Sequence, residues 1–236
     1  MSFLLVHGLG LSSNIWSSII PLLDEEVITV DLPGHGESAA TDFSWSGLWE
    51  TIANALAGRE WSETTLVLHS FSACLLPEII SSGVRPEKII LIEGILHLTD
   101  ALWSNEITFF DDAQFNSWLI RFRSVSEIAL RAQLFSWQHK KDIQLWSDAF
   151  KQVNSEALRV IAKNIRNRLG SDVILNALKS LSGLIVYLRG GRSRLSLVGR
   201  AFLESNSIVI KEIAGTGHFA MIDNPIALSH FLSPQS

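Results

Sequence analysis

The sequence predicts an α/β fold: a doubly wound, mostly parallel sheet of about six strands, interrupted by a helical insertion. Short apolar runs typical of buried parallel strands recur along the chain, and stretches with apolar residues at helical spacing separate them. The alternation stops between residues 97 and 181, where tryptophan-rich helical patterns take over. We therefore expect a core domain of residues 1–96 and 182–236 and a helical insertion of residues 97–181. The six predicted strands are residues 2–6, 27–30, 65–69, 88–92, 184–188 and 207–211.

Helical spacing of apolar residues predicts the segments that link these strands. We expect helices over residues 12–23, 45–56 and 197–204, one that starts at Phe71, and a last one that begins at Pro225. Pro77 is expected to kink the helix that follows Phe71, because proline lacks the backbone N–H that a helix interior needs.

Composition and charge narrow the class of protein. A chain of 236 residues suits one domain with an insertion, and its net charge of −5, without basic runs, argues against nucleic acid as a partner. Hydrophobic residues make up 47 %, yet no apolar run is long enough for a membrane span, so we expect a soluble protein. The first residues lack the pattern of a signal peptide, which predicts a cytoplasmic location.

Two glycine-rich loops follow the first two strands. The first is His7-Gly8-Leu9-Gly10, which would be an ordinary turn if it occurred alone. The second is the octapeptide from Asp31 to Ser38, Asp-Leu-Pro-Gly-His-Gly-Glu-Ser, whose glycines suit left-handed backbone positions. We expect the second loop to be structural, with no direct part in chemistry.

The stretch from Thr64 to Cys74 joins a strand to the start of a helix. Its apolar run stops at His69-Ser70, which places Ser70 at the tip of a strand-to-helix turn. A serine there has a strained backbone, its hydroxyl projects above the sheet, and the next backbone N–H points at whatever the hydroxyl attacks. The pattern predicts a nucleophile; a buried strand end with a structural serine is the alternative.

Four stretches of the chain resemble the α/β-hydrolase family, in the family's own order. They are His7-Gly8, the turn at residues 31–38, Ser70, and Gly215-Thr-Gly-His218. Ser70 stands where the family carries its nucleophile elbow, Gly-x-Ser-x-Gly, with Leu68 and Ser72 in place of the two glycines. Leu68 requires compensating space, because strand and helix pass closely at that position.

The resemblance implies roles for individual residues. Ser70 would be the nucleophile, His218 the catalytic base, and the backbone N–H groups of Leu9 and Phe71 the oxyanion hole. Two strands that usually lead the family's sheet are missing, so the strand at residues 27–30 should lie at one edge. In the family, an insertion after the strand at residues 88–92 forms a helical cap over the active site, and residues 97–181 would form such a cap; a helical bundle unrelated to the site is the alternative.

The triad acid departs from the family's usual position. Most members carry it in the loop after the penultimate strand, but Ser193 stands there, and residues 189–195 contain neither Asp nor Glu. Glu93 ends the neighbouring strand at the carboxyl edge of the sheet, and some branches of the family resemble this chain in carrying their acid there. We therefore expect Glu93 to orient the histidine. Asp100 is a weaker candidate, and an ion pair between Glu93 and Arg189 is the structural alternative.

Other reactive or charged side chains are expected to be structural. Ser72 is the rival nucleophile, although it lies further into the helix. Cys74 is the one cysteine, which excludes an intramolecular disulfide and a cysteine-cluster metal site, and we expect it to be a core thiol. Five basic residues of the cap are expected on solvated faces. They are Arg121, Arg123, Arg131, Lys140 and Lys141.

Together these features predict a serine hydrolase that cleaves small hydrophobic carboxylic esters through an acyl-enzyme, with no cofactor and no metal. One alternative is a carbon–carbon hydrolase or lyase, favoured if the cap arginines face the pocket; another is a non-catalytic ligand-binding homologue. Dehalogenase or epoxide-hydrolase chemistry is disfavoured, because those relatives use an aspartate nucleophile.

Cap phenylalanines and tryptophans are expected to form an apolar acyl pocket. The tryptophans are Trp103, Trp118, Trp137 and Trp146.

Overall fold

A computed structural model describes residues 1–131, 140–193 and 195–233 of the chain. Six strands form one parallel sheet in the order β2-β1-β3-β4-β5-β6, which confirms the predicted sheet. The strands are β1 (Ser2–Val6), β2 (Glu26–Val30), β3 (Thr64–His69), β4 (Lys88–Ile92), β5 (Ile185–Gly190) and β6 (Val209–Ile213). β2 lies at one edge, as predicted. β6 begins two residues later than predicted, because Ser207 has a left-handed backbone (φ 57°) and turns the chain first.

The order in which strands are added to the sheet reverses at β1: β2 pairs with one side of β1, and β3 pairs with the other side. Loops that leave the carboxyl ends of strands diverge at such a switch point and leave a crevice between them. The register pairs Val6 with Leu68, so the loop that follows β1 lies beside the turn that follows β3. The predicted glycine-rich loop and Ser70 therefore share one edge of the sheet.

Helices cover both faces of this sheet. The α-helices are α1 (Trp45–Ala55), α2 (Leu76–Ser82), α3 (Leu102–Glu106), α4 (Asp112–Arg131), α5 (Lys140–Gln152), α6 (Ser155–Leu169), α7 (Val173–Ser180), α8 (Leu197–Ser205), α9 (Ala220–Asp223) and α10 (Pro225–Leu232). α1 packs against α2, whereas α9 and α10 pack against the segment between β1 and β2. α1 begins where predicted because the Ser44 side chain accepts the Gly47 N–H, and it buries Leu48 and Ile52 on its apolar face.

Two predictions about helices were wrong. Residues 12–23 form two short 3₁₀ helices, Ser13–Trp16 and Ile20–Leu22, instead of one α-helix. Pro21 supplies no backbone N–H, and its ring would clash with the preceding turn of an α-helix, although the segment still buries apolar side chains as its spacing indicates. Pro77 does not kink a helix either. It lies in the first turn of α2, where a missing N–H is harmless, after a 3₁₀ segment over Ser70–Leu75.

Among the described residues between β4 and β5 there is no strand; they form α3 to α7, joined by short 3₁₀ segments and irregular connections. α4 and α5 pack against each other, while α7 packs against α2 beside the sheet. The division of the chain into core and cap stays a prediction. Trp137 lies outside the described residues, as do the side chains of Trp103, Lys140 and Lys141. None of the helices described here combines the length and the hydrophobicity needed to cross a bilayer.

Candidate active site

Ser70 occupies a strained turn directly after β3. Its φ of 59° lies in the left-handed region that non-glycine residues rarely adopt, and such strain is often found at functional sites. The chain then continues as the 3₁₀ segment that leads into α2. Leu68 is fully buried in β3, so the larger side chain at the first glycine position of the motif does not prevent the turn.

His218 lies in the loop that follows β6, and its ring reaches Ser70. The distance between His218 Nε2 and Ser70 Oγ is 3.2 Å. Two contacts hold the loop: the Gly217 N–H donates to the Asp223 carboxylate at 2.8 Å, and the Thr216 hydroxyl donates to the Ile213 carbonyl at 2.8 Å. Asp223 is buried at the end of α9, which makes it an anchor for the histidine loop.

Glu93 follows β4 directly and contacts the other side of the same imidazole. Its Oε2 lies 3.6 Å from His218 Nδ1, and its Oε1 accepts the N–H of Gly190. Glu93 also has a left-handed backbone, with φ 50°, which turns the chain away from the sheet after β4. Arg189 does not pair with Glu93; it binds Glu212 at 2.9 Å. Ser70, His218 and Glu93 thus form one continuous set of contacts.

The other positions considered for the acid have different partners. Asp100 accepts hydrogen bonds from the Ser196 N–H (2.9 Å), the Ser196 hydroxyl (3.0 Å) and the His97 N–H (3.1 Å). Burial raises the pKa of Asp100. Through these hydrogen bonds Asp100 joins the segment that follows β4 to the start of α8. The Ser193 N–H donates to the Gly190 carbonyl at 3.1 Å and closes the loop after β5.

The rival nucleophiles are built into the core. The Ser72 side chain is fully buried, and its hydroxyl donates to the His69 carbonyl at 2.7 Å. Cys74 is fully buried too, and burial raises the pKa of its thiol to about 12, far above the range in which a thiolate nucleophile forms. Both residues stabilise the segment that carries Ser70.

The side chains of His7, His35 and Asp31 fix the loop that contains Leu9. His7 Nε2 accepts the Leu32 N–H at 3.1 Å, and His35 Nε2 accepts the Gly10 N–H at 3.1 Å. Burial opposes ionisation of Asp31, but hydrogen bonds from the Glu37 and Ser13 N–H groups outweigh it and lower the pKa of its carboxyl. A Cβ at Gly8 would lie 2.9 Å from His69 Nδ1 and 3.0 Å from the Ser70 Cβ, so a larger residue there would push against the turn that carries Ser70. The turn at residues 31–38 thereby holds the first loop against Ser70.

His69 lies beneath the imidazole of His218. The two ring centroids are 4.9 Å apart, and His69 Nε2 donates to the His218 carbonyl at 3.0 Å. Burial, and then the proximity of His218, keeps the pKa of His69 well below its usual value, so the ring is neutral. Sequence reasoning assigned no role to His69, His35 or Asp223. His35 and His69 lie inside the motifs described above and Asp223 lies shortly after one, but no spacing rule links any of the three to its distant partner.

A small cavity of about 20 Å³ lies at Ser70, which is room for about one water molecule. It is lined by Gly8, Leu9, Leu11, His69, Ser70, Phe122, Trp146, His218 and Phe219. Two larger depressions, of about 360 and 310 Å³, are lined by neither Ser70 nor His218. The candidate site is therefore chosen for the reactive side chains around the cavity and not for the volume of the cavity.

The described arginines predicted on solvated faces do not line this cavity. Arg121 is exposed, and Arg131 pairs with Glu127. Arg123 is only partly exposed and donates to the Val153 carbonyl at 2.6 Å. The expectation of a solvated face is thus wrong for Arg123, because it joins α4 to the end of α5.

Comparisons with known proteins identify the family and the fold. The sequence profile described as the alpha/beta hydrolase family matches residues 3–230. No curated protein matches the chain in sequence. Solved structures with a similar fold include an esterase from Exiguobacterium antarcticum (14 % identity, TM-score 0.73, 98 % of this chain and 90 % of that one). A bromoperoxidase from Bacillus anthracis (16 %, 0.73, 98 % and 90 %) and the epoxide hydrolase CorEH (18 %, 0.70, 98 % and 89 %) are also similar.

Proposed function

Because the chain belongs to the alpha/beta hydrolase family, we propose that it is a serine hydrolase that cleaves small hydrophobic carboxylic esters through an acyl-enzyme. The observation that carries the proposal is the contact of Ser70 Oγ with His218 Nε2 at 3.2 Å, with Glu93 Oε2 on the opposite side of the imidazole at 3.6 Å from Nδ1. A nucleophile, a base and an orienting carboxylate in this sequence of contacts suit acyl transfer.

In the first step, Ser70 Oγ attacks the ester carbonyl while His218 Nε2 takes the hydroxyl proton. Glu93 holds the ring in the tautomer with hydrogen on Nδ1 and stabilises the imidazolium that forms. The C–O bond to the alcohol then breaks, and His218 returns the proton to the leaving oxygen. In the second step, His218 removes a proton from water, which attacks the acyl-enzyme. The bond between the acyl carbon and Ser70 Oγ then breaks, His218 returns the proton to Oγ, and the acid leaves.

The backbone N–H groups of Phe71 and Leu9 are the proposed oxyanion hole. Phe71 follows the nucleophile in the strained turn, and Leu9 lies in the loop that His7 and His35 hold in place. Two fixed donors aimed at the developing negative charge contribute to catalysis because they need no reorganisation during the reaction.

The cavity lining supports a small apolar substrate. Leu9, Leu11, Phe122, Trp146 and Phe219 surround Ser70, and the lining residues that the structure describes include no carboxylate, arginine or lysine. A substrate carboxylate would therefore find no cationic partner there, which favours ester cleavage over the carbon–carbon hydrolase or lyase alternative. Since the cavity admits about one water molecule, an acyl chain enters only when side chains of this lining shift.

Two measurements test the proposal. The first is labelling by a fluorophosphonate probe, which reports an activated serine, with the modified residue located by mass spectrometry. The second is turnover of p-nitrophenyl acetate, butyrate and hexanoate by the wild type and by Ser70→Ala. We expect labelling and turnover that both disappear in Ser70→Ala. A wild type that is neither labelled nor active would instead favour the non-catalytic ligand-binding alternative.

A further inference from the structure

Trp146 carries a buried polar group that the proposed mechanism does not use. The residue lies in α5, is 4 % exposed and lines the cavity at Ser70. Its indole Nε1 is fully buried and has no hydrogen-bond partner among the residues described. Buried indole N–H groups normally have an acceptor, and leaving one unpaired costs free energy.

The described neighbours of the indole pack against its rings but supply no acceptor for its N–H. Trp146 stacks on Phe150, with ring centroids 5.8 Å apart, and meets Phe219 edge-on at 5.7 Å. Phe122 lines the same cavity. These hydrocarbon rings satisfy the apolar surface of the indole and offer no oxygen or nitrogen to its N–H. Packing against these rings accounts for the hydrocarbon part of the indole but not for its nitrogen.

We propose that Trp146 is a substrate-binding residue whose indole N–H donates a hydrogen bond to an acceptor oxygen in the acyl chain or alcohol group of the ester. The preferred substrates are then esters with an ether, keto or second carbonyl oxygen near the scissile bond, and plain hydrocarbon esters are poorer. This inference rests on the proposed ester hydrolysis. The competing acceptor is an ordered water, since the cavity has room for about one.

The test uses pairs of isosteric esters. p-Nitrophenyl methoxyacetate and p-nitrophenyl butyrate differ by one ether oxygen in place of a methylene, and p-nitrophenyl 3-methoxypropionate and valerate move that oxygen by one carbon. The ratio of kcat/KM within each pair is measured for the wild type and for Trp146→Phe, which keeps an aromatic ring and removes the N–H. Comparing the two enzymes cancels the intrinsic reactivity of the esters.

We expect Trp146→Phe to lower the oxygenated-to-hydrocarbon ratio about five- to tenfold in at least one pair, the value of one neutral hydrogen bond. Trp118→Phe is the matched control. Trp118 stacks on Phe122 at 5.1 Å but is not among the residues that line the cavity, so its ratio should stay at the wild-type value. Ratios within twofold of wild type for Trp146→Phe in both pairs would overturn the proposal and assign the N–H to a water.

A binding measurement separates this inference from the proposed function. In the Ser70→Ala protein labelled with ¹⁵N-tryptophan, ethyl methoxyacetate or ethyl 3-methoxypropionate should move the indole resonance of Trp146 downfield more than ethyl butyrate does. If the wild type hydrolyses no ester and its serine is not labelled, the proposed function fails and this spectrum alone decides on Trp146. An indole resonance that responds to none of the esters, or equally to all, contradicts the inference.

Discussion

The Glu93 carboxylate lies beside the His218 imidazole, with Oε2 3.6 Å from Nδ1, although the two residues come from opposite halves of the chain. The contact exists because β4 and β6 flank β5 in the sheet, so the loops at their carboxyl ends approach each other. A second oxygen of the same carboxylate accepts the Gly190 N–H and fixes its orientation.

Replacing Glu93 tests whether this contact orients the base. Glu93→Gln retains an oxygen for the Gly190 N–H but loses the charge, so the imidazolium is no longer stabilised and the wrong tautomer is favoured. We expect kcat on p-nitrophenyl butyrate to fall by about 10³- to 10⁴-fold with the circular dichroism spectrum unchanged. Asp100→Asn is the matched control, since Asp100 binds Ser196, and its kcat should stay within a few-fold of wild type. A Glu93→Gln enzyme with near-normal kcat would remove Glu93 from the triad.

Backbone strain at Ser70 predicts an exchange of stability for activity. Its φ of 59° costs about 1 kcal/mol or more for any residue with a Cβ, and glycine avoids that cost. Ser70→Gly should therefore be inactive yet more stable than Ser70→Ala by about 1 kcal/mol, measured as the free energy of unfolding in urea.

Ser72→Ala should keep the fluorophosphonate label, but its free energy of unfolding should fall by about 1 kcal/mol, because the buried Ser72 hydroxyl donates to the His69 carbonyl. An adduct on Ser72 would reverse the assignment of the nucleophile.

His35 predicts a dependence of stability on pH. Burial, and then the neighbouring His7, lowers its pKa from 6.5 to about 3, and its neutral Nε2 accepts the Gly10 N–H. Between these two pKa values the unfolded chain binds a proton that the folded chain does not. The free energy of unfolding should therefore fall as the pH drops from 6.5, by up to about 1.4 kcal/mol per pH unit from His35. Urea unfolding from pH 7.5 to 5 should show a shallower slope in His35→Gln, and equal slopes would refute this account of His35.

The aromatic lining predicts how the acyl chain is selected. Phe122→Ala enlarges the cavity at Ser70, and each additional methylene buried there contributes about 0.8 kcal/mol. We expect the hexanoate-to-acetate ratio of kcat/KM to rise about tenfold, the equivalent of nearly two methylenes. Phe109→Ala is the control, since Phe109 is 67 % exposed and does not line the cavity. An acyl-chain preference unchanged by Phe122→Ala, or a wild type indifferent to chain length, would contradict the acyl-pocket hypothesis.

Local patterns in the sequence predicted the sheet and the turns at its carboxyl edge. Runs such as Lys88–Ile92 are apolar enough to be central strands. Ser70 lies between a strand and a helical segment, which is the position of the serine in a nucleophile elbow. Family resemblance singled out Glu93 because the loop at residues 189–195 lacks a carboxylate. The same local reasoning failed at residues 12–23, where one proline outweighed helical spacing, and at Ser207, whose left-handed turn delays the last strand.

The sequence by itself determined where the strands lie along the chain, that they pair in parallel, and where the serine, the histidine and the glycine-rich turns occur. Each of these depends on neighbouring residues and on the spacing of apolar residues. Only the tertiary structure decided which polar groups meet. His35 with Gly10, His69 with the His218 carbonyl and Asp223 with Gly217 are pairs joined by packing. Packing also buried the indole N–H of Trp146, a cavity-lining residue, where no described residue accepts its hydrogen bond. A hydrogen bond needs two groups within about 3 Å, and the sequence records the identity of each group but not that distance.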